Sequence, residues 1–161
     1  MANNDATRRW SEIQKLVVYV PKDGRALGTV TDFYFKPGSG AIYALHVKTR
    51  VNGDYSLPVT AIKSFGTDKI TIDNEDMLIR ALPPLPTGAG LLGRTVVSEK
   101  GDTVGKVGEL WLDVEPVIAP RVASLELAGS NSHHKGFTAD AVANYEEDTV
   151  VIHDQVARKL K

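Results

Sequence analysis

Hydrophobic and polar positions alternate along this chain in short runs, each closed by a turn signal. Leu16-Val17-Val18-Tyr19-Val20 is a β-branched and aromatic run that ends at Pro21-Lys22-Asp23-Gly24. A second run passes through Gly28 to Phe33-Tyr34-Phe35 and stops at Lys36-Pro37-Gly38-Ser39-Gly40. A third spans Ala41 to Thr49 and leads into Asn52-Gly53, among the strongest hairpin signals a sequence carries. The return strand ends at Leu57-Pro58, where a proline opens a single helical turn through Ile62. Two further strands follow, Lys63 to Phe65 and Ile70 to Ile72. Runs this short and closely spaced predict a small β-barrel. Gly28 inside a strand predicts a bulge or a sharp bend.

The pattern is then written a second time. Asp23-Gly24-Arg25-Ala26-Leu27-Gly28-Thr29-Val30-Thr31-Asp32-Phe33-Tyr34-Phe35 returns as Lys100-Gly101-Asp102-Thr103-Val104-Gly105-Lys106-Val107-Gly108-Glu109-Leu110-Trp111-Leu112. Leu57 to Phe65 and Ile70 to Ile72 return as Phe137 to Tyr145 and Val150 to Ile152. The first correspondence runs at an offset of 77 residues and the second at 80, so three residues are inserted between them in the second copy. Between the copies lies Ala81-Leu82-Pro83-Pro84-Leu85-Pro86-Thr87-Gly88-Ala89-Gly90, a proline-rich linker stiffened toward polyproline II. The expected organisation is an N-terminal arm over 1–10, a barrel over 11–80, the linker over 81–90 and a second barrel over 91–161. Arg8-Arg9-Trp10 is the one sticky point of an otherwise frayed arm.

The spacing Gly-x-x-hydrophobic-Gly-x-Val-x-acidic-hydrophobic-aromatic-hydrophobic resembles the PRC-barrel family. Its carriers are Gly24, Leu27, Gly28, Val30, Asp32, Phe33 and Phe35, then Ala44, Leu45 and Val47, then Pro58, Ala61 and Ile62. In the second copy they are Gly101, Val104, Gly105, Val107, Glu109, Leu110 and Leu112, then Ser124, Leu125 and Leu127, then Ala141 and Val142. Thr138 stands where the family commonly has proline. The resemblance implies an all-β chain of two tandem small PRC-like β-barrels with short helical turns. It also implies a platform that binds proteins, as in the cytoplasmic part of the photosynthetic reaction-centre H subunit and in a maturation factor of the small ribosomal subunit.

Composition narrows the chemistry. With no cysteine, the chain has no disulfide, no thiolate metal site and no cysteine nucleophile. No run approaches the roughly 20 apolar residues of a membrane-spanning helix. The polar N-terminus lacks a signal-peptide core, so the expected location is cytoplasmic. A formal net charge of −1 argues against a general nucleic-acid binder. The first 80 residues hold 11 Lys and Arg against 9 Asp and Glu, while the remainder hold 8 against 11. That mild asymmetry suits two differently solvated surfaces, or the docking of one half onto a partner.

No catalytic residue, cofactor site or metal site is expected. Gly-x-Ser-x-Gly, His-Glu-x-x-His and phosphate-loop motifs are all missing. His133 and His134 sit at a hairpin tip, where adjacent side chains point to opposite faces. They read as exposed polar residues before they read as metal ligands. His46 aligns with Glu126 and His153 with Asp73, so both positions are expected to face solvent. Asp32 and Glu109 hold equivalent places, which duplication explains as capping or rim residues without invoking a catalytic carboxylate pair.

The repeat breaks in one informative place. Where the first copy has Lys36 to Gly40, the second has Asp113-Val114-Glu115-Pro116-Val117-Ile118-Ala119-Pro120, longer and apolar at its centre. Pro116, Val117, Ile118 and Pro120 are therefore the candidate partner contacts, unless the loop folds back onto the linker or the other barrel. The reading is a non-enzymatic cytoplasmic adaptor or assembly module that binds a protein, with homodimerisation a further option. Two other classes stay open. One is a ribosome- or RNA-associated factor using Arg8, Arg9, Lys15 and Lys22; the other is a small-ligand or metal-binding barrel.

Overall fold

A computed structural model of the chain describes residues 7–129 and 135–160. Half of the described residues are in strands, arranged as two curled sheets that each form a half-barrel. The chain opens with β1 (Thr7–Arg9) and the one-turn helix α1 (Trp10–Ile13). The first sheet follows as β2 (Val17–Val20), β3 (Arg25–Phe35), β4 (Ile42–Thr49), β5 (Asp54–Pro58), β6 (Ile62–Phe65) and β7 (Lys69–Ile72). A second one-turn helix, α2 (Gly88–Leu91), precedes β8 (Thr95–Ser98), β9 (Thr103–Asp113), β10 (Arg121–Leu127), β11 (Gly136–Thr138), β12 (Val142–Tyr145) and β13 (Thr149–Ile152). The chain closes with α3 (Asp154–Leu160), an element the hydrophobic pattern did not announce.

The two sheets have the same topology. Strand order is β5-β4-β3-β2-β7-β6 in one and β11-β10-β9-β8-β13-β12 in the other. In both, the one parallel pair joins the first and last strands of the repeat, β2 with β7 and β8 with β13. Gly28 and Gly105 occupy equivalent places opposite Val18 and Val96, and a register shift follows immediately in each pairing. The bulge expected beside the strand glycine is therefore present twice. At Gly28 the chain approaches so closely that an added Cβ would lie 2.5 Å from the Lys48 carbonyl oxygen.

Alternation along the strands supplies the core. Val18 and Val20 of β2, Ile70 and Ile72 of β7, and Val150 and Ile152 of β13 all turn inward and are buried. One continuous apolar cluster runs through both repeats. Its joint is aromatic: Trp10 meets Phe33 edge-on at 4.9 Å, Phe33 leads to Phe35, and Phe35 meets Tyr145 of β12 at 5.4 Å. Such edge-to-face pairs add about 0.5–1.5 kcal/mol each beyond their buried area.

Residues 7–10 are not a frayed arm. β1 pairs with the C-terminal end of β9, Thr7 against Asp113 and Arg9 against Trp111. Arg8 donates to the carbonyls of Gly66 and Thr67 in the first sheet, at 2.6 and 3.2 Å. Arg9 stacks over Trp111, and Trp10 is only 1% exposed. The end of the linker behaves in the same way toward the other sheet. Thr87 bridges Tyr34, and the Phe35 N–H donates to the Pro86 carbonyl at 3.0 Å. Each repeat thus sends its leading segment to the far half of the other repeat's long strand.

Two carboxylates hold that exchange in place. The Asp32 Oδ1 accepts from the Phe33 N–H at 2.8 Å and from the Ala89 N–H of α2 at 3.0 Å. Glu109 accepts from the Leu110 N–H at 2.9 Å and from the Ser11 hydroxyl of α1 at 2.7 Å. The capping role read from duplication is what these side chains perform.

Candidate functional site

The inserted loop of the second repeat and the outer face of β4 together form a groove at the junction of the repeats. Its volume is about 520 Å³. In β4 the residues on either side of Tyr43 turn inward, Ile42 and Ala44 being buried. Alternation therefore leaves Tyr43 outward, 48% exposed, with the Lys36 ammonium 5.8 Å from its ring centre. Pro58 ends β5, and the 3-10 turn Val59–Ala61 that follows brings Val59 and Thr60 to the same wall. Ile118, Ala119, Pro120 and Arg121 form the opposite wall.

The loop divides its four candidate contacts between two roles. Val114 is buried, and Val117 packs against the core cluster. Pro120 is buried as well, and its carbonyl accepts the Ile42 N–H at 2.9 Å. The Ala119 N–H donates to the Pro116 carbonyl at 2.9 Å, closing the turn. Pro116 is exposed, and Ile118 projects from the turn with 60% of its surface in solvent. The fold-back and the exposed tip thus coexist in one loop.

Comparison of the repeats shows that the groove is one-sided. Lys36 corresponds to Asp113, Ala41 to Arg121, Tyr43 to Ala123, Pro58 to Thr138, Val59 to Ala139 and Thr60 to Asp140. Ile118 lies in the insertion and has no counterpart. One face has a tyrosine, a proline and a valine where its twin has two alanines and a threonine. Tyr43 was legible as an exception, being an aromatic residue whose partner position is alanine, but the loop insertion alone does not lead to it.

The other singled-out residues do not converge on the groove. His46 does not face solvent freely: its side chain is 19% exposed, and its Nδ1 and the Tyr34 hydroxyl share a hydrogen bond of 2.7 Å. The Asp54 carboxylate lies 3.5 Å from its Nε2. The same two positions in the second sheet hold Trp111 and Glu126, whose indole N–H donates to the carboxylate. Burial, with Asp32 and Asp54 adding to it, pushes the Tyr34 phenol upward. His153 is exposed and lies 3.5 Å from Glu99. His133 and His134 lie outside the described residues. Of the basic residues considered for RNA, Arg8 and Arg9 have their guanidiniums engaged within the molecule, whereas Lys15 and Lys22 are exposed. Among the described residues no three His, Asp or Glu side chains gather as a metal site. No helix of the described residues is long and apolar enough to cross a membrane.

Residues 6–78 match the family model of the PRC-barrel domain. The first repeat is therefore similar to the PRC-barrel domain over its whole length. The match does not extend over the second repeat, which is related to the first by topology and register. No curated protein matches the chain.

Proposed function

We propose that this protein is a non-enzymatic adaptor or assembly module, two PRC-like barrels in tandem, that binds a protein partner through the groove at their junction. The cytoplasm is its proposed setting. The observation that carries the reading is the joint exposure of Ile118 and Tyr43 on one side only of a duplicated body. Exposed aliphatic and aromatic side chains lining a groove favour association, because covering them removes apolar area from water at about 25 cal/mol per Å². Tyrosine is also an effective interface anchor, having a large rigid ring and a polar tip.

A photo-cross-linking amino acid placed at Tyr43 of the full chain, in its native cells, tests this. A discrete cross-linked protein, weakened by Ile118→Ser and missing when the cross-linker stands at Ala123, is the expected result. Equal cross-linking from Tyr43 and Ala123 would overturn the assignment of the groove.

A further inference from the structure

The charge of the groove says what kind of segment fills it. Two cations line it, Lys36 from the end of the first sheet's long strand and Arg121 from the second repeat, and among the described residues no acidic one does. Neither forms an ion pair with a carboxylate among the described residues. The equivalent positions hold Asp113 in place of Lys36 and Asp140 in place of Thr60, with Arg121, the counterpart of Ala41, opposite Asp113 in the strand register. The two faces of the duplicated body are therefore distinguished by charge as well as by apolarity.

We infer that the groove takes an extended acidic segment of another protein, in which carboxylates flank an aliphatic or aromatic anchor. This rests on the adaptor reading and adds the partner's chemistry to it. The anchor packs against Tyr43, Pro58 and Ile118, while flanking carboxylates pair with Lys36 and Arg121. A two-fold self-contact through this face would bring Lys36 and Arg121 of each copy against those of the other. Like charges brought together in this way oppose pairing. An acidic segment removes that conflict and places opposite charges at the rim, where steering operates. The guanidinium of Arg121 offers a planar fork for a carboxylate, and Lys36 offers a point charge. The carboxylates confer selectivity and speed of encounter, while the apolar anchor carries most of the affinity.

The test uses the full chain as bait for a displayed library of random 12-residue peptides. Selected peptides are then resynthesised with a fluorophore and titrated by polarisation. The inference expects enriched peptides that combine two or more Asp or Glu with an aliphatic or aromatic residue. Their binding should weaken about tenfold or more in a Lys36→Glu, Arg121→Gln variant and fall steeply with added salt. Circular dichroism of the variant should match that of the parent chain. As a control that leaves folding untouched, the salt dependence is also measured on the unmodified chain. Neutral or basic peptides that are lost on Ile118→Ser would overturn the acidic chemistry and leave the adaptor reading standing. Peptides indifferent to both Ile118→Ser and Tyr43→Ser, or no enrichment at all, would overturn both. A dimer in sedimentation that dissociates on Ile118→Ser would also overturn the inference, by making a second copy the occupant.

Discussion

Ala41 and Arg121 occupy the same position of the two repeats, and they form an antiparallel bridge with each other. The hydrogen bonds around them are equally reciprocal: the Ile42 N–H donates to the Pro120 carbonyl, and the Val122 N–H to the Gly40 carbonyl, both at 2.9 Å. Each of these four residues is also matched to its counterpart at the offset of 80. A residue that pairs with its own equivalent lies on a two-fold axis. The groove is built directly beside that axis, which is why a one-sided insertion there sets one face apart from its twin.

The loop's two aliphatic residues should separate on mutation. Ile118→Ser removes an exposed side chain and should change folding stability by less than about 0.5 kcal/mol while weakening partner capture. Val117→Ser removes one packed on the core and should cost about 1–2 kcal/mol, read as a lower thermal midpoint. A large loss of midpoint from Ile118→Ser would place that side chain in the core.

Lys15 has a φ of +100°, and Gly93 at the equivalent place has +86°. Both deliver the chain from the one-turn helix into the next strand, with the Lys15 N–H donating to Val30 and the Gly93 N–H to Val107. A side chain is strained in this region and glycine is not. Lys15→Gly should therefore stabilise the fold by about 0.5–1 kcal/mol in denaturant titration, after the unfolded-state entropy of glycine is counted. Gly93→Ala should cost about 1 kcal/mol, although an added Cβ there meets nothing within 4 Å. Equal stabilities for the parent and Lys15→Gly would show that the strain relieved is no larger than the entropy glycine adds to the unfolded chain.

Tyr145 couples the joint to pH. Burial pushes its phenol up to about 12, with the positive charge of Arg121 pulling the other way. In the unfolded chain a tyrosine ionises near pH 10. Below that value both states are neutral and stability is flat. Between pH 10 and 12 the unfolded chain loses the proton while the folded one keeps it, so stability falls as pH rises. The loss is of the order of 2–3 kcal/mol. Tyr145→Phe should remove that share of the fall, read as thermal midpoints at pH 9, 10 and 11. The Tyr145 hydroxyl is buried with no hydrogen-bond partner among the described residues, so the variant should be at least as stable as the parent at neutral pH. An unchanged alkaline slope would assign the fall to other groups.

Gly88 opens α2 directly against Phe33, and an added Cβ would overlap the ring. Gly88→Ala should cost about 2–3 kcal/mol by overpacking a core that has no room to move. Phe33→Leu, costly alone, should relieve part of that clash, so the double variant should lose less than the two single losses added together. Strict additivity in denaturant titration would show that the two sites do not touch.

Much of this architecture was legible because the pattern is local and occurs twice. Strand ends at Pro21, Gly40 and Asn52-Gly53, the bulge at Gly28 and the helical turn after Pro58 all follow from short-range chemistry. The exchange of leading segments did not. Thr7–Arg9 is three residues without alternation, and its partners near Asp113 lie about a hundred residues away, so no local signal ties them. The helix α3 is too short for a helical period to show. At the groove, the Ile118 loop stood out as an insertion. Tyr43 emerges only when each position is weighed against its twin, and His46 facing Tyr34 only when the strands are paired.

A symmetric pair of identical barrels would present each of its surface features twice. Joining the two halves of such a pair in one chain, with leading segments still exchanged across the Ala41–Arg121 axis, keeps the shared core while letting the two outer faces drift apart. One face has become basic and apolar while the other has gained Asp113 and Asp140, an outcome that identical subunits are unable to reach. For the proposed ligand the consequence is a stoichiometry: the groove would hold one per molecule, in an orientation that a symmetric dimer has no means to impose.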